Sequence, residues 1–465
     1  LLELYSHGLL PAHFRVVGVD RAARTSEDFA EYLEPKLLKI QANQALVTSF
    51  VKRVTYVALS AQDPKDFLPL HAHLLDLESS TTPAQPALTN RLFYLAVPPE
   101  AVVATAAGLS SCCCGVSGFA RVIVEKPFGR DAASSAALSG ELVRLFAEES
   151  IYRIDHYLGE ELVQNLMMFR FANVLIDPLL CAEHVAAVRI TFKDTEGTLG
   201  RSGAFAQTGI IRDVMQTHMM QVLALVAMEP PVTVSGPRAA ENIRDSKLVA
   251  LQSVAPIDPS EVVLGQYTGT PNLPGGTEPT PGFLDDPTVE HAPDAAFCPT
   301  FAAMVFRVQT PRWDGVPFIL KAGKALEGRR DEIRIQFKNA PGARFMFPGQ
   351  HCPRNELVVR LAPEEAVYMK MNVKFPGLAW NPVQSELDLT YRERYDHHRP
   401  DPYSRLLLEA LRGNQESFVR SDETAASWAI FSPLLERLDQ ERRIPEPYTA
   451  GTRGPPSADA RTPLR

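Results

Sequence analysis

Arg91-Leu92-Phe93-Tyr94-Leu95-Ala96-Val97 and Arg121-Val122-Ile123-Val124 are nearly unbroken apolar runs. A strand with water on one face alternates apolar and polar residues. A strand buried on both faces does not, and helix-covered parallel sheets are the usual setting for it. Phe14-Arg15-Val16-Val17-Gly18-Val19 and Val54-Thr55-Tyr56-Val57-Ala58-Leu59 read as further strands, with helical patterns between them. The first third is therefore expected to be α/β, doubly wound and Rossmann-like.

After about residue 183 the period changes. The segments 185–193, 304–309, 332–338, 356–361 and 366–375 alternate, which predicts a mostly antiparallel, half-buried sheet. Ile210 to Met228 reads as one long helix between the first two of these strands, with Gln221 to Met228 its most apolar part. Residues 254–300 are rich in Pro and Gly, among them Pro271, Pro274, Pro279, Pro281 and Pro287, and predict an irregular excursion. The tail from Pro445 to Pro463 is expected to be irregular or frayed. We place the domains at 1–155 (α/β) and 156–465 (β+α).

The 465 residues suffice for two or three domains, and 45% hydrophobic with 22% charged residues is ordinary for a globular protein. A net charge of −8 argues against a general nucleic-acid binder. No apolar run approaches the roughly 18–20 residues of a membrane span. Six cysteines, three of them adjacent (Cys112, Cys113, Cys114), lack zinc spacing, so no metal site is expected. So few thiols in a long chain fit a reducing cytoplasm.

Two segments carry the chemistry: Arg153-Ile154-Asp155-His156-Tyr157-Leu158-Gly159 and Ile210-Ile211-Arg212-Asp213-Val214-Met215-Gln216-Thr217-His218. Each sets a carboxylate and an imidazole among apolar residues, where they are costly unless paired. Residues five apart on an α-helix diverge by roughly 140°. Asp213 is therefore not expected to orient His218, and Asp155 is the candidate partner. A carboxylate on one ring nitrogen fixes the tautomer and makes the other nitrogen a base; otherwise His218 is a satisfied core histidine. Glu125-Lys126-Pro127-Phe128-Gly129 ends a strand, where ligands of open α/β sheets bind, and Pro98-Pro99 ends its neighbour. Lys126 then reaches a ligand, or is a surface lysine in a turn. Arg21, after the first strand, is either a ligand of a coenzyme 2′-phosphate or a solvated arginine. The cluster Lys321, Lys324, Arg329, Arg330 suits phosphate, or is a charged turn. Arg334, Arg360 and Lys370, with Tyr368, lie on the alternating strands. Such a row repels itself unless a second phosphate-bearing ligand, or carboxylates, neutralise it.

Taken together, these segments, with Glu161-Leu162-Val163-Gln164-Asn165, Arg312-Trp313-Asp314-Gly315-Val316-Pro317-Phe318 and Ser385-Glu386-Leu387-Asp388-Leu389-Thr390-Tyr391, resemble the eukaryotic-type glucose-6-phosphate dehydrogenase family over nearly the whole chain. The resemblance implies oxidation of β-D-glucose 6-phosphate at C1 to the 1,5-lactone with hydride transfer to NADP+, the first step of the oxidative pentose phosphate pathway, in cytoplasmic homodimers or homotetramers. It implies His218 as base with Asp155. It implies Lys126, His156, Tyr157, Glu160, Asp194, Asp213, Lys324 and Arg329 around the sugar phosphate, and Arg21, Lys126, Pro98 and Pro99 around NADP+. A second, structural NADP+ would take Lys321, Arg330, Arg334, Arg360, Tyr368, Lys370, Asp388, Thr390 and Arg453.

The chain also departs from the family's pattern. The glycine-rich phosphate loop and first strand would lie upstream of Leu1, so the sequence is expected to be a fragment of a longer product. Glu160 stands where the family has a phosphate-binding lysine, Asp194 replaces a glutamate, and Ala362 and Val102 replace a polar and an aromatic contact. The family's terminal segment bearing Tyr and Trp would likewise lie beyond Arg465. The alternative to an active dehydrogenase is thus a catalytically impaired relative with a binding or oligomer role.

Overall fold

The computed structural model describes residues 1–60, 63–81, 89–115, 117–270, 280–390, 394–395 and 400–461. By their contacts they fall into two units, Leu1–Gly129 with Ala133–Gly159 and Pro400–Ser421, and Arg130–Ala132 with Glu160–Arg399 and Asp422–Arg465.

In the first unit β1 (Val16–Asp20) pairs in parallel with β2 (Val54–Ala58). A second parallel sheet has the order β3 (Arg91–Leu95), β4 (Ala120–Glu125), β5 (Ile151–Ile154). The sequence rule for doubly buried strands holds best at β4, where Val122, Ile123 and Val124 are completely buried. One face of β4 joins the core of Leu95, Leu109, Leu142 and Ile151. On the other, Ile123 packs with Tyr152, Ile154, Leu406, Ala410 and Phe418. The helix Pro402–Arg412 thus returns from far along the chain to this sheet, and Arg121 Nη1 donates to Ala410 O and Leu411 O near its C-terminal end (2.9 and 2.8 Å). A guanidinium there complements both the orphan carbonyls and the negative end of the helix dipole.

The second unit is built on a nine-stranded sheet of order β13-β12-β11-β10-β6-β9-β8-β7-β14. Its strands are β6 (Val185–Lys193), β7 (Val262–Thr268), β8 (Phe301–Arg307), β9 (Pro317–Gly323), β10 (Arg330–Phe337), β11 (Glu356–Ala362), β12 (Ala366–Lys374), β13 (Pro382–Thr390) and β14 (Glu446–Thr449). Only β6–β9 and β7–β14 are parallel. The mixed α/β class with a mostly antiparallel second sheet is as expected.

Three local expectations are corrected. The stretch 254–300 is not wholly irregular: it contains β7, whose Val262, Val263, Leu264 and Tyr267 are buried. Pro271, Pro274 and Pro279 lie outside the described residues, as do Tyr391 and Pro463. The tail is not frayed either: β14 adds to β7, Tyr448 is buried, and a helix follows at Pro456–Arg461. A two-sided edge of buried apolar residues recruits a short strand that propensity alone does not announce. Finally, the long helix is of two kinds. Ile211–Met219 is a π-helix with i→i+5 bonding, and Met220–Ala227 continues it as α-helix with every residue buried. Gly209 precedes it with φ +64°, a left-handed turn that costs glycine little.

Candidate active site

In the first unit, strand β5 is buried at every position and delivers Asp155 at its carboxyl end, 2% exposed. Asp155 Oδ1 accepts the Tyr157 N–H at 3.1 Å, which starts the tight 3-10 turn His156–Gly159. Beneath the strand, Arg153 is buried in a bidentate pair with Glu148 (2.6 and 3.1 Å). Gly159 closes the turn where a Cβ would sit 2.7 Å from Pro402 O, so only glycine fits. His156 is half-buried, edge-on to Tyr157 and stacked on Tyr403 at 5.9 Å. Burial raises the Tyr403 phenol, reinforced by Glu125, Asp155 and Asp401, so it stays a neutral donor.

The carboxyl ends of the other parallel strands carry the remaining candidates of this unit. Lys126 follows β4 and is half-buried, while Tyr94 Oη donates to the adjacent Glu125. Burial and that carboxylate push the Tyr94 phenol strongly upward. Pro98 and Pro99 are exposed beyond β3, and Pro99 opens a short 3-10 turn. Arg21 is exposed beyond β1, its N–H held by Asp20 Oδ1 at 2.6 Å.

In the second unit, His218 is 3% exposed on the π-helix, and Asp213 is half-buried on its preceding turn. The α-helical angle used to separate these two residues does not apply here. With i→i+5 bonding one turn spans more than four residues, so residues five apart return toward the same face. Asp213 is thereby on the His218 side of the helix, a conclusion the sequence-based geometry had excluded. Lys324 is 8% exposed, and its Nζ pairs with Asp194 Oδ2 at 2.7 Å, 5.3 Å from the Phe192 ring. Its backbone is fixed by N–H donation to Thr300 O (3.0 Å) and by Tyr448 Oη donating to Lys324 O (2.7 Å). Arg329 is exposed in the turn before β10. Glu160 is the N-cap of helix Glu161–Phe171, where the helix dipole favours a carboxylate.

The outer strands decide how the row of cations is neutralised. Register places Arg334, Arg360, Lys370 and Tyr368 on one face, together with Glu332, Glu356, Glu386 and Asp388. Arg334 bonds Glu332 (3.0 Å) and Glu356. Lys370 lies 4.0 Å from Glu356 and 3.7 Å from Glu386, and Arg360 sits over the Tyr368 ring at 5.4 Å. Burial acts to lower the Arg334 pKa, but Glu332 and Glu356 outweigh it and the guanidinium is held in its charged form. Of the two sources of counter-charge that the sequence left open, protein carboxylates thus supply a large part. Arg330 is 4.0 Å from Glu332, Arg453 3.7 Å from Glu327, and Thr390 Oγ1 donates to Asp388 (2.9 Å). Lys321 Nζ lies 5.3 Å from the Phe301 ring centre.

The segment Arg312–Phe318 braces the helix rather than joining this chemistry. Trp313 is completely buried and its Nε1–H donates to Ala227 O at 2.9 Å, while Arg312 grips Glu229 (2.9 and 2.6 Å).

Comparison with known proteins agrees over the whole length. The domain described as "Glucose-6-phosphate dehydrogenase, NAD binding domain" matches residues 1–165, and "Glucose-6-phosphate dehydrogenase, C-terminal domain" matches residues 167–462. The chain belongs to the glucose-6-phosphate dehydrogenase family. It is 44% identical over 457 residues to glucose-6-phosphate 1-dehydrogenase 2 of Mus musculus, covering 98% of this chain and 86% of that protein. It is 44% identical over 464 residues to the cytoplasmic isoform of Solanum tuberosum, covering 99% and 86%. A solved glucose-6-phosphate dehydrogenase in complex with its substrate glucose-6-phosphate superposes with a TM-score of 0.89 at 39% identity, covering 99% of this chain and 92% of that one.

For this glucose-6-phosphate dehydrogenase family member, sequence reasoning missed Tyr403 and Tyr448. Tyr403 stacks on His156, and Tyr448 bonds the Lys324 carbonyl, yet each lies remote in sequence from the residue it supports. No local spacing could have signalled either.

Proposed function

We propose that this chain oxidises β-D-glucose 6-phosphate at C1 to 6-phospho-D-glucono-1,5-lactone, with NADP+ as acceptor. His218 takes the proton of the C1 hydroxyl as the C1–H bond gives up its hydride, and the C1–O bond becomes a carbonyl. Asp155 holds the imidazole in the tautomer that leaves a free lone pair, and stabilises the imidazolium that results. NADP+, when bound, supplies the hydride acceptor. Arg21, Pro98-Pro99 and Lys126 follow the carboxyl ends of β1, β3 and β4, the kind of position at which open parallel sheets bind a dinucleotide, which supports this reading. Arg21 favours the 2′-phosphate. His156, Tyr157, Lys324 and Arg329 bind the sugar phosphate, and Asp194 and Asp213 orient its hydroxyls. The Lys324–Asp194 pair at 2.7 Å keeps the ammonium extended and desolvated before substrate arrives.

The observation that carries this reading is His218, an imidazole 3% exposed on a π-helix, in a chain that matches the family end to end. The test is NADP+ reduction with glucose 6-phosphate against unphosphorylated glucose. A large preference for the phosphorylated sugar is expected; equal rates would overturn the phosphate contacts.

A second, structural NADP+ is assigned to Lys321, Arg330, Arg334, Arg360, Tyr368, Lys370, Asp388, Thr390 and Arg453. Equilibrium dialysis should find two coenzymes per chain, and one would refute it. The opposite face of the same outer strands exposes Met371, Val373, Val383 and Leu387, which supports a homodimer, or a tetramer of two such dimers. Light scattering of a monomer at micromolar concentration would contradict that. No helix among the described residues is long and apolar enough to cross a membrane. With a cytoplasmic isoform among the relatives, we assign the chain to the cytoplasm, checked by fractionation.

A further inference from the structure

The helix bearing Asp213 and His218 changes register within one turn of the imidazole. Met220 N–H reaches back to Met215 O, five residues away, whereas the segment from Met220 onward is α-helical. When bonding returns from i−5 to i−4, one carbonyl is skipped and needs another donor. The carbonyl next after Met215 is that of Gln216, and Ser427 Oγ donates to it at 2.6 Å, fully buried. Ser427 lies on the helix Ser421–Glu441, one turn after Glu423. The Glu423 carboxylate pairs with Lys247 Nζ at 2.9 Å with both side chains 0% exposed, and Lys247 Nζ also donates to Gln221 Oε1 at 3.0 Å. The same helix therefore grips the register change at two points, Gln216 and, through Lys247, Gln221.

We infer that Ser427 is a positioning residue for His218: its hydroxyl satisfies the carbonyl released at the π-to-α change and so fixes the rotation at which the π-helix presents the imidazole and Asp213. Without it, the Gln216 carbonyl recovers a partner by tightening the preceding turn to i→i+4 bonding. That rotates every residue upstream of the change relative to Met220 and beyond. Ser427 touches no reacting atom in this account; it acts through the backbone. The inference rests on the assignment of His218 as base.

The test compares S427A, S427T and H218N with the parent in steady-state NADP+ reduction with glucose 6-phosphate, alongside thermal unfolding. S427A should lower kcat about fivefold to tenfold, the scale set by one net hydrogen bond, with KM for glucose 6-phosphate within twofold. S427T, which keeps the hydroxyl, should restore most of kcat. A merely structural serine would lower the unfolding temperature and leave kcat per folded enzyme unchanged. That result, a loss appearing in KM alone, or a threonine variant as impaired as alanine would overturn the inference. The H218N arm separates the two levels. If it keeps normal turnover, the base assignment itself falls; if it is inactive while S427A is normal, only the role of Ser427 falls.

Discussion

Replacing Glu423 by leucine removes the carboxylate paired with a lysine that has no exposure at all. Lys247 and Glu423 are each 0% exposed and 2.9 Å apart, with Gln221 Oε1 3.0 Å from the ammonium. Breaking such a pair from one side costs about 3–5 kcal/mol, because the remaining charge is stranded in a poor solvent. Against a total stability of about 5–15 kcal/mol that is a large fraction. It corresponds to roughly 6–10 °C in unfolding temperature, at the 2 °C per kcal/mol typical of larger domains. The reverse single change, Lys247→Met, should cost a similar amount. The double variant K247M/E423L replaces the pair with apolar groups of comparable size, and such exchanges are often neutral or stabilising. The cycle is measured by urea unfolding followed by tryptophan fluorescence, since Trp428 lies buried on the same helix as Glu423. The double variant should lie within about 1 kcal/mol of the parent, so the coupling energy should be large and of the sign that rescues. Additive losses in the double variant would refute the reasoning, as they would mean the two residues stabilise the fold independently.

Glu160→Lys should lower KM for glucose 6-phosphate at least tenfold, since one unit charge some 4 Å from another is worth about 4 kcal/mol at an effective dielectric near 20 and reversing its sign about twice that, before solvent discounts it. The same change removes a carboxylate from a helix N-terminus, so a slight drop in unfolding temperature should accompany the gain. An unchanged KM would show that position 160 does not face the phosphate. Glu229 is held below its ordinary value near 4.5, first by the Arg312 hydrogen bond. Its folded pKa is depressed, so its contribution is present above pH 4.5 and is lost as pH falls through the folded value. Glu229→Gln should therefore unfold earlier than the parent at pH 7, by less than about 1 kcal/mol because the carboxylate is half exposed, and the difference should shrink as pH falls below 4.5 through the folded value. A difference that does not shrink with falling pH would refute the ion-pair origin.

The strands that sequence located were those whose burial is written in their own residues. Val122-Ile123-Val124 is apolar because both faces of β4 are covered, whereas in β6 Ala187 with Val188 and Ile190 with Thr191 bury both faces, so the half-buried strand read from alternation at 185–193 is corrected. β14 escaped notice because Glu446-Pro447-Tyr448-Thr449 carries no pattern; it is a strand because β7 offers it an edge. The π-helix escaped for a related reason. Its apolar periodicity resembles an α-helix over nine residues, and the wider bonding is enforced by partners such as Ser427, remote in sequence. That error had a consequence, since the α-helical angle set Asp213 aside from His218. The candidate residues themselves were legible as residue types in apolar surroundings. Their supports, Tyr403 behind His156 and Tyr448 behind Lys324, depend on chain segments that meet only after folding. The cations at 334, 360 and 370 were legible as a row, but not the carboxylates interleaved among them by strand register.

The central claim is that the buried imidazole of His218 is the base in the oxidation of glucose 6-phosphate. The most direct measurement is the absorbance rise at NADP+ reduction, for the parent and for His218→Asn at saturating substrate, with glucose 6-phosphate affinity determined separately. A base acts mainly at the transition state, so kcat should fall by about 10²–10⁴ while substrate still binds normally. Turnover within a few-fold of the parent in the asparagine variant would contradict the account.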